Sequence, residues 1–183
     1  MQDLSIAGLT ILPVQLSQWL SQGYLIKAKN GVYVFAERRG ELAMETISHY
    51  LYSPSYISLE WALSVHGLIP ELAYNTTAIT TRKTMTMKNE LGLFIYHSIK
   101  KELFFGYKTV QNGVNVYLLA EPEKALLDYL YLNSAQVVNQ DDIDELRLNP
   151  FALEELDQEK IKLYLKIFKN KKLERICALI FKQ

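Results

Sequence analysis

Apolar positions change their period several times along this chain, and each change marks a different kind of element. Leu12, Leu16, Trp19 and Leu20 recur at helical spacing around Pro13, a residue favoured in a first helical turn, and Gly23 supplies the stop. Gln15, Gln18 and Gln22 fall on the opposite face of that helix. Tyr24–Ala28 and Val32–Phe35 are β-rich runs joined through Lys29-Asn30-Gly31, and Asn-Gly between such runs is the strongest short hairpin signal. Upstream, Asp3–Leu9 reads as the tail of a scaffold helix. A short helix feeding a basic-tipped hairpin is the plan of a winged helix-turn-helix, expected over residues 1–40.

The charged break Glu37-Arg38-Arg39-Gly40-Glu41 looks like a boundary, and a second unit is expected over residues 41–183. Leu42–Leu51 predicts a helix. Ser58–His66 predicts another, with Leu59, Ala62, Leu63 and His66 at helical intervals, Glu60 at the positive N-terminal end and Gly67 closing it. The period then shortens to two. Ala78–Thr84, Leu91–Ser98, Phe104–Val110 and Asn115–Leu119 are strand candidates, the last two joined through Gln111-Asn112-Gly113. Pro122 opens a helix with Ala125, Leu126, Tyr129 and Leu130 inward. Asp141–Lys160 holds eight acids against two bases, a net −6, and 161–183 holds seven bases against one acid, a net +6. The pattern predicts two helices whose polar faces pair or are solvated; the basic one is also a candidate to touch RNA or DNA. The expected fold class is α+β: a winged helix-turn-helix with a shortened first helix, then a mixed unit with a helical C-terminus.

Composition removes several functions from consideration. Apolar residues make up 49% of the 183, enough for a packed core, and twenty basic against twenty acidic residues leave no whole-chain field for a polyanion. Nucleic-acid binding must therefore rest on local charge. No stretch approaches the ~18 apolar residues of a membrane span and no signal-type start is evident, so a cytoplasmic protein without a membrane partner is expected. The single cysteine, Cys177, sits in an apolar run and reads as a core residue. His49, His66 and His97 lack metal-ligand spacing, and Gly106 and Gly113 form no phosphate loop. No catalytic residue, metal or cofactor is assigned, and the chain is not expected to be an enzyme.

Several segments carry a family likeness. Ser53-Pro-Ser-Tyr-Ile-Ser-Leu-Glu-Trp-Ala-Leu-Ser-Val-His-Gly-Leu-Ile-Pro70, Ile79-Thr-Thr-Arg-Lys-Thr-Met85, Ile99-Lys-Lys-Glu-Leu-Phe-Phe-Gly-Tyr107 and Ala120-Glu-Pro-Glu-Lys-Ala-Leu-Leu-Asp128, with the Gly23-Tyr24 to Tyr33 wing pattern, occur in one order. Together they resemble the AbiEi family, the antitoxins of type IV toxin–antitoxin systems, from about Trp19 to Leu132. The resemblance implies an N-terminal winged helix that represses its own operon and a C-terminal domain with antitoxin activity. It also implies a functional partner, a nucleotidyltransferase toxin, countered indirectly without a stable complex. About a dozen residues precede the expected recognition helix, fewer than the family's winged domain uses.

On that reading Gln15, Gln18 and Gln22 would face the major groove, where a glutamine amide pairs with the N6 and N7 edge of adenine, with Ser17 and Ser21 beside them. Lys27, Lys29 and Asn30 would set the hairpin on phosphates, with Arg38 and Arg39 close behind. Residues 1–40 carry four bases against two acids, which favours DNA mildly, and a homodimer would read an inverted repeat in the operator with doubled charge. The plainer alternative is a polar helix face and a solvated turn. Arg82, Lys83, Lys88, Lys100, Lys101 and Lys108 outnumber two acids over residues 80–110, and all but Lys88 are candidates for a second nucleic-acid surface, against the alternative of lysines guarding strand edges. The Pro-Glu-Lys-Ala run reads as fold support, with Glu123 in a positive first turn.

Overall fold

The computed structural model describes residues 11–137 and 139–181. The Asp3–Leu9 segment lies outside the described residues. The chain is α+β, and its described part opens with helix α1 (Pro13–Ser21), antiparallel strands β1 (Leu25–Lys29) and β2 (Val32–Phe35), and a 3-10 turn over Ala36–Glu41. Gly31 takes φ +77° at the hairpin tip, where a side chain would be strained. The register slips between Lys27 and Lys29, so Ala28 is an extra residue in the ladder. Ala28 and Val34 point inward and join the buried cluster of the rest of the molecule.

Helix α2 (Met44–Leu51), β3 (Ser55–Ile57) and α3 (Leu59–Val65) lead into β4 (Thr76–Thr80), β5 (Met85–Asn89), β6 (Gly92–Ser98), β7 (Tyr107–Asn112) and β8 (Asn115–Ala120). Six strands form one mixed sheet in the order β5-β6-β4-β3-β8-β7, with β4 parallel to β6 and β3 parallel to β8. Strand β4 is buried along its whole length, as a central strand covered on both faces must be. Register assigns the two faces. Ala78 and Tyr96 share the face under α2, where Ser48 donates to the Tyr96 hydroxyl at 3.0 Å. Tyr56, Ile79, His97 and Tyr107 share the other, under α3 and α4 (Pro122–Leu132).

Two expectations need correction. Strand β5 carries Met85 to Asn89 as an exposed edge that the apolar pattern does not mark, because an edge strand with both faces largely open has little hydrophobic period to show. The two charged blocks form four helices rather than two: α5 (Gln140–Glu145), α6 (Pro150–Glu154), α7 (Gln158–Phe168) and α8 (Lys171–Ile180). Asn139, Asn149, Asp157 and Asn170 each accept from a first-turn backbone N–H, and these four caps divide the run. Lys162 of the basic block pairs with Glu159 of the acidic block at 2.9 Å within α7, and Lys160 reaches back to Glu121 and Glu123 at the start of α4, each at 3.5 Å. Among the described residues no helix is long and apolar enough to cross a membrane.

Candidate functional site

Helix α1 buries none of its nine residues; Leu16, Trp19 and Leu20 are half-covered. Gln15, Ser17, Gln18, Ser21 and Gln22 are all exposed. Gln18 and Gln22 stand one helical turn apart, so their amides project from one face. Gln15 is partly engaged, its Oε1 accepting from the Leu12 backbone N–H at 3.3 Å, and Ser21 donates to the Gln18 carbonyl at 2.8 Å. A 290 Å³ groove lined by Trp19, Tyr24 and Phe35 separates the helix from the hairpin.

The cations near the hairpin divide sharply. Lys27 and Asn30 are exposed. Lys29 turns back instead, donating at 2.5 Å to the Leu51 carbonyl at the end of α2, where an ammonium suits the negative helix terminus. Arg38 pairs with Glu41 at 3.0 Å, and Arg39 donates to the Glu90 carbonyl at 3.2 Å. Asn89 Nδ2 donates to the Ala28 carbonyl at 2.8 Å, so the hairpin is tied to the β5–β6 turn as well as to α2.

The second basic group is also split. Arg82 and Lys83 follow β4, Lys100 and Lys101 follow β6, and Thr80 lies opposite Ser98 in this parallel pair, so these four cations gather at one end of the sheet. Arg82 is held by its guanidinium over the Tyr52 ring at 4.4 Å and by the Ser53 carbonyl at 3.1 Å. Lys108 is not with them. It lies on the far edge strand β7, 2.8 Å from Glu121.

A buried polar knot under the sheet had only its helix start visible in sequence. Lys124 and Asp128, one turn apart on α4, are both fully buried and paired, and seven of the eleven residues of α4 are buried. Asp128 Oδ2 also accepts from Tyr56 at 2.8 Å and Ser58 at 2.9 Å, and the Lys124 ammonium donates to the Tyr56 hydroxyl at 2.9 Å among the rings of Tyr56, Phe105 and Phe168. Burial pushes the Asp128 carboxyl up and the Lys124 ammonium down, each opposed by its partner's charge. Burial and Asp128 together hold the Tyr56 phenol well above its ordinary range. Gly106, at φ +73°, passes so close that a Cβ there would lie 3.0 Å from the Lys124 stem. The signal available beforehand was an opposite-charge i, i+4 pair inside an otherwise apolar turn. Cys177 is buried as expected, and burial raises its thiol to about 12.

No protein-family model matches this chain, and no curated protein matches it. Its chemistry must therefore be read from its own residues. Among the described residues, no group of three or more histidine, cysteine or acidic side chains is arranged to hold a metal ion. The knot is fully closed to solvent, whereas the amide row of α1, the hairpin residues Lys27 and Asn30, and the cationic end of β4 and β6 are open.

Proposed function

We propose that this chain is a DNA-binding autorepressor and antitoxin of a type IV toxin–antitoxin pair, acting in the cytoplasm without catalysis of its own. The observation that carries the reading is the exposed Gln18–Gln22 pair, aligned on a helix that leads straight into a hairpin with an exposed Lys27 and Asn30. Amides so placed suit adenine edges in a major groove, and the hairpin suits adjacent phosphates. The winged-helix plan and the AbiEi resemblance support the same assignment, with a homodimer on an inverted repeat supplying charge that one copy lacks. A gel-shift on the duplex upstream of the chain's own reading frame tests the repressor half: retardation that weakens with salt is expected, and none at low salt overturns it. Co-expression with the adjacent nucleotidyltransferase tests the antitoxin half, with restored growth expected and undiminished toxicity against it.

A second reading is favoured by one specific observation. Lys29, Arg38 and Arg39 are engaged within the molecule, leaving Lys27 as the cation of the four with no such contact shown. A protein- or RNA-interaction module that does not grip duplex DNA fits that distribution. Co-purification separates the readings, since a stable stoichiometric complex with the toxin belongs to the second.

A further inference from the structure

Strand β6 is left partly uncovered on the face that α3 and α4 occupy, and a cleft of about 500 Å³ opens there. Its floor includes Ile95 and His97, its wall Glu60 of α3 and Tyr129 of α4, and its rim Tyr74 and Arg147. Among the described residues, Glu60 Oε2 is the one carboxylate oxygen that is buried with no hydrogen-bond partner. Leaving a buried acceptor unmet is costly, more so when it is charged.

The backbone that delivers Glu60 is strained. Leu59, buried at 2% exposure, takes φ +61°, a conformation costing a branched L-residue about 1–2 kcal/mol. It is clamped on both sides: Thr77 Oγ1 donates to the Ser58 carbonyl at 2.8 Å and accepts from the Trp61 N–H at 3.1 Å, while the Ser58 hydroxyl is fixed by Asp128. The buried knot thus holds the turn that sets Glu60 in the cleft wall. Strain of this kind persists only where the surroundings over-determine it.

We propose that this cleft binds a small organic cation, a protonated amine or amidinium on an apolar or aromatic body, with the Glu60 carboxylate as its counter-charge. Charge selects the class. Three carboxylates of the lining, Glu60, Glu71 and Glu145, stand against Arg147, whose guanidinium is already 2.6 Å from Glu71, so the lining disfavours an anion and favours a cation. Burial and, after it, the Glu60 charge hold the Tyr129 phenol above its ordinary range. Leu63, Ile69 and Ile95 provide the apolar contact for the ligand's body. The proposal stands independently of any role in DNA binding.

Benzamidine, with neutral benzamide and anionic benzoate as matched controls, tests it by calorimetry and by amide chemical shifts on the full chain. The expected result is a preference of at least about tenfold for benzamidine, with shifts at the cleft, lost in Glu60→Gln. The same variant should melt no lower than the wild type, because it keeps the side chain's size and removes no hydrogen bond of the enclosed Oε2. Equal affinity for the three probes, no benzamidine binding at about 10 mM, shifts mapping elsewhere, or undiminished binding by Glu60→Gln overturns the proposal.

Discussion

Helices α1 and α4 differ in what they do with polar side chains. Helix α1 buries no residue and presents its amides to solvent, whereas α4 buries seven of eleven, a lysine and an aspartate among them. The difference separates two uses of polarity. Amides left in water keep their hydrogen-bonding capacity for a partner and contribute little to folding. Charges taken out of water contribute specificity of packing only when each lone pair and proton is met, and they turn into a liability once one partner is lost. Surfaces available for binding are accordingly drawn from the least stabilised part of a fold.

The largest effect that would sharpen this contrast is at the knot. Lys124→Ala should lower stability by about 3–5 kcal/mol in denaturant unfolding, since it strands the buried Asp128 carboxylate. Replacing both charges with apolar residues of similar volume should cost much less than either single change; equal losses would break the comparison. Gly106→Ala comes next, at about 2 kcal/mol, because it combines a left-handed backbone with crowding against the Lys124 stem. Lys29→Ala should cost about 1 kcal/mol by releasing the hairpin from α2, visible as faster amide exchange in β1 and β2.

A smaller effect is tied to pH. Burial alone would raise the Glu121 carboxyl, but hydrogen bonds from Lys108 and Tyr164 and the charge of Lys160 outweigh it, and its pKa is lowered. A depressed carboxylate adds stability that is present above its ordinary value near 4.5 and is lost as pH falls through the folded value. Glu121→Gln should therefore flatten the acid limb of a thermal-midpoint profile below about pH 4.5 and leave its shape near pH 7 unchanged. An acid limb as steep as wild type would remove Glu121 from the account.

Legibility in the sequence followed the strength of the local signal. The hairpin at Asn30-Gly31, the turn at Asn112-Gly113 and the helix after Pro122 were readable because turn chemistry and apolar period agreed there. Strand β5 was hidden by its exposed edge position, and the four C-terminal helices by caps placed inside continuous charge runs. The exposed amide face of α1 followed from spacing alone. The inward turn of Lys29 did not, because a basic residue beside Asn-Gly looks the same whether its ammonium meets phosphate or a carbonyl 22 residues away. Glu60 looked like an ordinary first-turn acid; the left-handed Leu59 before it has no sequence signature, since its clamps come from Thr77 and Asp128, distant in the chain.

The most direct test joins binding and stability in a single comparison of wild type with a double variant. Gln18→Ala with Gln22→Ala should leave the thermal midpoint within about 2 °C of wild type, since exposed substitutions cost little. The same double variant should weaken binding of the upstream promoter duplex by at least tenfold in fluorescence anisotropy at fixed salt, each lost base contact being worth about 1–3 kcal/mol. Unchanged affinity, or a fall in affinity matched by a comparable loss of folding stability, would contradict the assignment of α1 as a binding surface carried at little structural cost.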